Sequence, residues 1–303
     1  MFPIPDSFVR TMHELYGRSG QRWLDNLPAL LAACAARWHL TLQPPFPNLT
    51  YNYVAPAMRA DGTAVVLKAG VMNPELLSEI AALRHYGGRG AVSLLAADPA
   101  AGVFLLQRLR PGASLVPMAD DDAATRLAAG VMRQLWRPAV GETAVFPTVH
   151  QWAAGLQGLR RAFGGGTGPF DARLVETAAS LFADLLPSMA APVLLHGDLH
   201  HDNILAAGDA WLAIDPKGVL GEPAYEVGAL LRNFWDRDTS DAVRRQMSAR
   251  RVAILAETLG FDRRRIAGWG VAQALLSAWW SYEDHGHGWE WGMAAAAALA
   301  PLL

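Results

Sequence analysis

The sequence predicts an α+β protein in two lobes: a small strand-rich N-terminal lobe, residues 1–109, and a larger helical lobe, residues 110–303, carrying one short β-hairpin. Three observations predict it. Short apolar runs of strand length lie between residues 51 and 109, with a hairpin signal at Asp61 and Gly62. Apolar residues at helical spacing fill most of the chain beyond residue 112. A single strand-like island, residues 203–215, interrupts the helices around Gly208 and Asp209.

Taken in order, residues 25–39 read as an amphipathic helix, and residues 43–48 as a turn-rich patch. Residues 51–55 read as a strand, and residues 63–69 return after the Asp61–Gly62 turn. Asn73 before Pro74 suits a helix start, with Asn as N-cap and Pro in the first turn. That helix runs to about Tyr86, where Gly87 and Gly88 stop it. Two more strands are expected at 91–96 and 102–109, and a hinge at 107–112, where Arg110, Pro111 and Gly112 break the pattern. Helices are then expected at 120–137, 148–163, 171–186, 223–235, 240–259 and 263–283. The glycine-rich run 164–168 reads as a connection, because no strand precedes it as a phosphate cradle requires. Strands at 203–207 and 211–215 complete the hairpin.

Composition narrows the function classes. With 303 residues, 52% hydrophobic and 18% charged, the chain can fill a core in each lobe. A net charge of −2 offers no basic stripe, so a nucleic-acid partner is not expected. The one cysteine, Cys34, has no partner for an internal disulfide and reads as a small core residue. A disulfide-free chain fits a reducing cytosol, and a cytoplasmic location is expected. Residues 1–10 include Pro3, Pro5 and Asp6 and show no basic start followed by an apolar run, so no targeting segment is expected. The most apolar tail, 293–303, falls short of the ~20 residues of a membrane helix, and no membrane partner is expected.

The chemistry concentrates between Val193 and Leu205, where an apolar run ends in His196, Asp198, His200, His201, Asp202 and Asn203. Folding alone gives no reason for so many polar groups between two apolar runs. Asp215 closes the hairpin that Asn203 opens, so the two should face each other across its mouth, with Asp198 on the loop just before. Phosphoryl transfer needs such a set. One carboxylate positions the attacking hydroxyl and accepts its proton, while an Asn oxygen and a second carboxylate hold Mg2+ against the phosphates of ATP. The five-residue step from Asp198 to Asn203 is that of a protein-kinase catalytic loop, and Asp215 sits where that machinery has its metal Asp. His196 reads as a loop-packing residue, since the carboxylate does the proton work; His200 and His201 read as loop support or as contacts to substrate or phosphate.

The other half of the machinery lies upstream. Lys68 ends an apolar strand, the position from which an ammonium reaches the nucleotide phosphates. The following helix offers Glu79 as the partner that orients Lys68, with Glu75 as the alternative. Gln107 to Leu109, leading into the hinge, would supply the adenine-binding backbone.

These residues resemble the aminoglycoside phosphotransferase family, which shares the protein-kinase-like fold, and within it the streptomycin and hydroxyurea phosphotransferase branch. The carrying motifs are YNYVAP at 51–56, DGTAVVLK at 61–68, GRGAVSLLAAD at 88–98, LLQRLRPG at 105–112, HGDLHHDN at 196–203, WLAIDPKG at 211–218 and GEPAYE at 221–226. The resemblance implies ATP or another nucleoside triphosphate with Mg2+, Asp198 as base, Asn203 and Asp215 as metal ligands, and Lys68 on the phosphates. Three departures stand out. The loop 54–63 over the phosphates has a single glycine, Gly62, and Asp215 is followed by Pro216 and Lys217 instead of Phe and Gly. Glu226 stands where the family often has Asp, and is expected to anchor the catalytic loop with a longer reach.

Two other classes compete: a metal-dependent phosphoesterase built on the same His, Asp and Asn residues, and a kinase-like binding protein without turnover. The first would leave Lys68 idle, and the second has every catalytic residue against it. For the acceptor, a small-molecule hydroxyl of cationic or polyhydroxylated character, the candidates are His200, Asp236, Asp238, Glu283, Asp284, Trp289 and Glu290. A streptomycin-type resistance kinase is the expected function, and a housekeeping sugar or metabolite kinase of the same fold is the alternative. The oligomeric state is not legible in the sequence.

Overall fold

The first element is α1 (Asp6–Trp38), which starts well before residue 25 and is interrupted at a non-helical Gly17 (φ 52°, ψ −126°). The periodicity of residues 25–39 marks only its second half; the first half buries Phe8 and Met12 completely. The structure, a computed structural model, describes residues 2–139, 143–233 and 239–303.

An antiparallel sheet comes next, built from β1 (Leu40–Leu42), β2 (Tyr53–Arg59), β3 (Ala64–Ala69), β4 (Leu94–Asp98) and β5 (Val103–Gln107) in the order β1-β2-β3-β5-β4. Between β3 and β4 runs α2 (Pro74–Tyr86), whose N-cap is Asn73, its side chain accepting from the Leu76 N–H, and whose C-cap is Gly87. The expected strand 51–55 lies later, at 53–59, because Pro56 does not end it. Leu42, the last residue of β1, pairs with Ala57, so Pro56 lies past the end of that neighbour and its missing N–H interrupts no ladder. The strand expected at 91–96 is likewise displaced to β4, and β1 had no sequence expectation.

Strand alternation decides what each face of this sheet carries. Val65, Leu67 and Ala69 of β3 join Phe8, Met12, Leu27, Leu31 and Cys34 in the core beneath α1. Lys68 therefore points to the other face, where Leu76, Ile80 and Leu83 of α2 pack with Phe104 and Leu106.

The helical lobe begins with β6 (Pro111–Ser114), where the sequence had promised only a break. It pairs with β8 (Ile204–Ala207), which pairs with β9 (Ala210–Ala213), so the expected hairpin is part of a three-stranded sheet. The helix α3 (Asp121–Leu135) lies beyond β6. The helix expected at 148–163 is split at Gly155 into α4 (Val149–Ala154) and α5 (Leu156–Ala162). A Cβ on Gly155 would stand 3.3 Å from the Trp280 indole nitrogen and 3.0 Å from the Trp152 carbonyl, so the missing side chain makes room for the indole. Then come α6 (Ala172–Leu185), β7 (Val193–Leu195) and β10 (Val219–Gly221), the last two forming an antiparallel pair that three-residue strands do not betray in sequence.

The expected helix 223–235 is a short 3-10 turn, Pro223–Glu226, leading into α7 (Val227–Arg232); residues 234 and 235 lie outside the described residues. The chain ends in α8 (Asp241–Leu259), α9 (Arg263–His285) and α10 (Glu290–Leu299). Glu222, just after β10, accepts hydrogen bonds from Arg265 and Trp269, which ties α9 to the sheet edge below the catalytic loop. Among the described residues no helix is long and apolar enough to cross a membrane.

Candidate active site

The loop from β7 to β8 is held from below by buried groups. Glu226 is fully buried; its Oε2 accepts the His196 N–H at 2.6 Å and its Oε1 accepts the Gly197 N–H at 2.9 Å. Burial raises the Glu226 pKa to about 7, against those hydrogen bonds, which favour the carboxylate. The longer acid thus reaches two consecutive backbone donors and fixes the residues before Asp198. Gly197 has φ +85°, and a Cβ there would stand 2.9 Å from the Trp152 ring and 3.0 Å from Val219, so only glycine fits this turn.

His196 is a structural residue. Its Nε2 lies 2.7 Å from the Ile214 carbonyl, and its Nδ1 accepts the Asp198 N–H at 3.2 Å. This arrangement requires the neutral ring protonated at Nε2. Burial lowers its pKa to about 4. The unfolded chain takes up this proton near pH 6.5, so stability from this group is intact above 6.5 and falls as the pH drops toward 4. The loss is on the order of 3 kcal/mol by pH 4. Melting curves across that range should show a smaller acid loss for His196→Gln than for the wild type; equal losses would assign the acid sensitivity to other groups.

Asp198 lies in the partly buried floor of the cleft, its side chain 25% exposed. Burial works to raise its pKa, but the Arg232 guanidinium, 2.6 Å from Oδ1, and the neighbouring His200 and His196 rings outweigh it and hold the carboxyl below its ordinary value. Arg232 was not a sequence candidate. Its signal is the lone cation closing the apolar run 227–231 of α7. His200 lies 3.7 Å from Asp198 Oδ2, and its Nδ1 accepts from the Asp202 N–H at 3.3 Å.

Asn203 Nδ2 donates to the Asp198 carbonyl at 2.9 Å, which turns its Oδ1 toward other work. The Ile214 N–H donates to the Asn203 carbonyl at 2.9 Å, so the hairpin closes where Asn203 and Asp215 meet. Asp215 adopts a left-handed conformation, φ 58°, which aims its carboxylate across the cleft at the N-terminal lobe. There Lys68 Nζ lies 3.0 Å from Asp215 Oδ1 and 2.7 Å from Glu79 Oε1. Burial would lower the Lys68 pKa; the Asp215 and Glu79 carboxylates reverse this, and the ammonium stays charged. Glu75 contacts Lys217, whose backbone carbonyl accepts from Ser78 Oγ at 2.5 Å, so α2 grips both sides of this junction.

The remaining candidates are distributed unequally. Gln107 ends β5 with its N–H bonded to Ser93, and Leu109 is buried where the two lobes meet. Glu283 and Asp284 are exposed near the C-terminal end of α9, which Gly286 caps. Trp289 packs on Phe170, ring centres 5.0 Å apart, beside Trp279 and Tyr282, and stays partly exposed. Glu290 opens α10 at the surface, and Asp236 and Asp238 lie outside the described residues.

A strand-rich lobe with a buried Lys–Glu pair, facing a helical lobe with an Asp–Asn–Asp loop, defines a kinase-like phosphotransferase. Known proteins agree. The sequence profile of the aminoglycoside/hydroxyurea antibiotic resistance kinases matches residues 37–285, and the chain belongs to that family. It is 35% identical to a streptomycin 6-kinase of Streptomyces glaucescens over 294 residues, 93% of this chain and 91% of that protein. It is 32% identical to a hydroxyurea phosphotransferase of Kitasatospora aureofaciens, over 93% of this chain and 81% of the other. The fold matches a choline kinase from Streptococcus pneumoniae with a TM-score of 0.63 at 14% identity, covering 90% of this chain and 98% of that one.

Proposed function

We propose that the chain transfers the γ-phosphoryl group of ATP, or another nucleoside triphosphate, to a hydroxyl of a streptomycin-like small molecule, with Mg2+ as cofactor. The observation that carries this reading is the convergence of Lys68, Asp215, Asn203 and Asp198, drawn from both lobes, on one cleft. In it, Asp198 orients the acceptor hydroxyl and takes its proton as the oxygen forms its bond to phosphorus and the nucleoside diphosphate leaves. Arg232 keeps that carboxylate ionised and fixed in orientation. Lys68, held by Glu79, positions the phosphates, and the backbone of Gln107 to Leu109 receives the adenine.

The donor set fits magnesium. Asp215 presents a carboxylate and Asn203 an amide oxygen, both suited to a hard cation that keeps water and phosphate oxygens as its other ligands. Bound there, the ion would neutralise charge developing on the phosphates. Both ring nitrogens of His196 are engaged by backbone, which favours the kinase over the two-metal phosphoesterase.

Nucleotide titrations with and without magnesium test the assignment. Asp215→Ala and Asn203→Ala should each lose most of the magnesium enhancement of ATP binding. An undiminished enhancement in both variants would remove them from the metal site.

A further inference from the structure

We infer that the acceptor is held by a guanidinium or ammonium group on a surface formed by Trp152, Trp280, Asp284 and Tyr51 beside Asp198. The inference rests on the kinase reading above and adds the chemistry of the acceptor and the residues that select it. Trp152 and Trp280 are assigned no role by the catalytic machinery, yet both are partly exposed. The Trp152 ring packs directly on Gly197, the residue before Asp198. A reciprocal capping box between Thr148 and Gln151 fixes the start of α4 and with it the Trp152 backbone.

Trp280 meets Trp152 edge to face, ring centres 5.4 Å apart, in the space that Gly155 leaves open. Asp284 lies one turn beyond Trp280 on α9, on the same face of the helix. From the other lobe comes Tyr51, 46% exposed. Its phenol pKa is raised by partial burial and then by the charges of Asp284 and Asp198, so one hydroxyl lies within the field of both carboxylates. Two indoles and an exposed carboxylate thus run from Gly197 along α9, with a phenol in the field of that carboxylate and of the base.

A planar cation suits such a surface. An indole face attracts a guanidinium or ammonium through its quadrupole, and an adjacent carboxylate supplies the net charge. A small neutral acceptor draws on neither. Streptomycin, which carries guanidinium groups, should exploit the surface; hydroxyurea should not.

Calorimetric titration with streptomycin, and initial rates with streptomycin and with hydroxyurea, test this on the wild type, Asp284→Asn and Trp280→Leu. Both variants should raise Kd and KM for streptomycin about tenfold or more, while KM for ATP and for hydroxyurea changes by less than about twofold. Added salt should weaken streptomycin binding to the wild type more than to Asp284→Asn. No streptomycin binding to the wild type, or values within about twofold of it in both variants, overturns the inference. If Trp280→Leu misfolds, the exposed Asp284→Asn decides alone. A wild type that binds streptomycin through these residues but never turns over ATP would uphold the surface and overturn the kinase reading.

Discussion

Asp198→Ala should lower kcat by ~10²–10⁴ while leaving nucleotide affinity close to wild type, because in the proposed mechanism the carboxylate touches the acceptor hydroxyl and other residues hold the nucleotide. The surroundings sharpen the expectation. Arg232 is the strongest stabiliser of the ionised Asp198, and its guanidinium remains when the carboxylate is removed. Asp198→Asn keeps the shape of the loop and cannot accept the proton, so it should be nearly as impaired as the alanine variant. Steady-state rates with a confirmed acceptor, alongside nucleotide titrations, separate the base from a structural role. An Asn variant with more than about a third of wild-type kcat would reject Asp198 as the base.

The second large effect concerns Lys68. Lys68→Met leaves Glu79 buried, 6% exposed, without its ammonium. Removing one partner of a buried ion pair costs on the order of 3–5 kcal/mol of stability. The double variant Lys68→Met/Glu79→Gln removes the stranded charge and should regain much of that loss. In kcat/KM the two changes should be far from additive, because Glu79 acts only through Lys68. Denaturant unfolding and steady-state kinetics on the four-member cycle read both. Additive losses in both would show that the 2.7 Å contact has no functional coupling.

The sequence was legible where local chemistry is strong. Asn73, Pro74 and Gly87 delimit α2 because capping is a local matter, and the alternation of β3 places Lys68 on the face toward Glu79. Glu75 lies one turn earlier on the same face of α2, so the helix pattern alone does not separate the two. Glu79 is buried against Lys68, whereas Glu75 is exposed and contacts Lys217. The hairpin that brings Asn203 to Asp215 announces itself through Gly208 and Asp209.

Features set by distant partners escaped. The strands β7 and β10 are three residues each and exist only because they pair across the catalytic loop and hairpin. The indole that packs on Gly155 comes from α9, far along the chain, and a helical pattern through residues 148–163 cannot register it. Arg232 and Trp152 are ordinary in their own segments; the close approach of α7 and α4 to the loop around Asp198 gives them their place.

The most direct test is mass analysis of the acceptor after incubation with ATP, Mg2+ and streptomycin, run in parallel with wild type and Asp198→Asn. The account predicts that the wild type adds one phosphoryl group to streptomycin with stoichiometric release of ADP, and that Asp198→Asn forms little product under the same conditions. Unmodified streptomycin, with ATP either untouched or hydrolysed to free phosphate by the wild type, would contradict a streptomycin kinase built on Asp198.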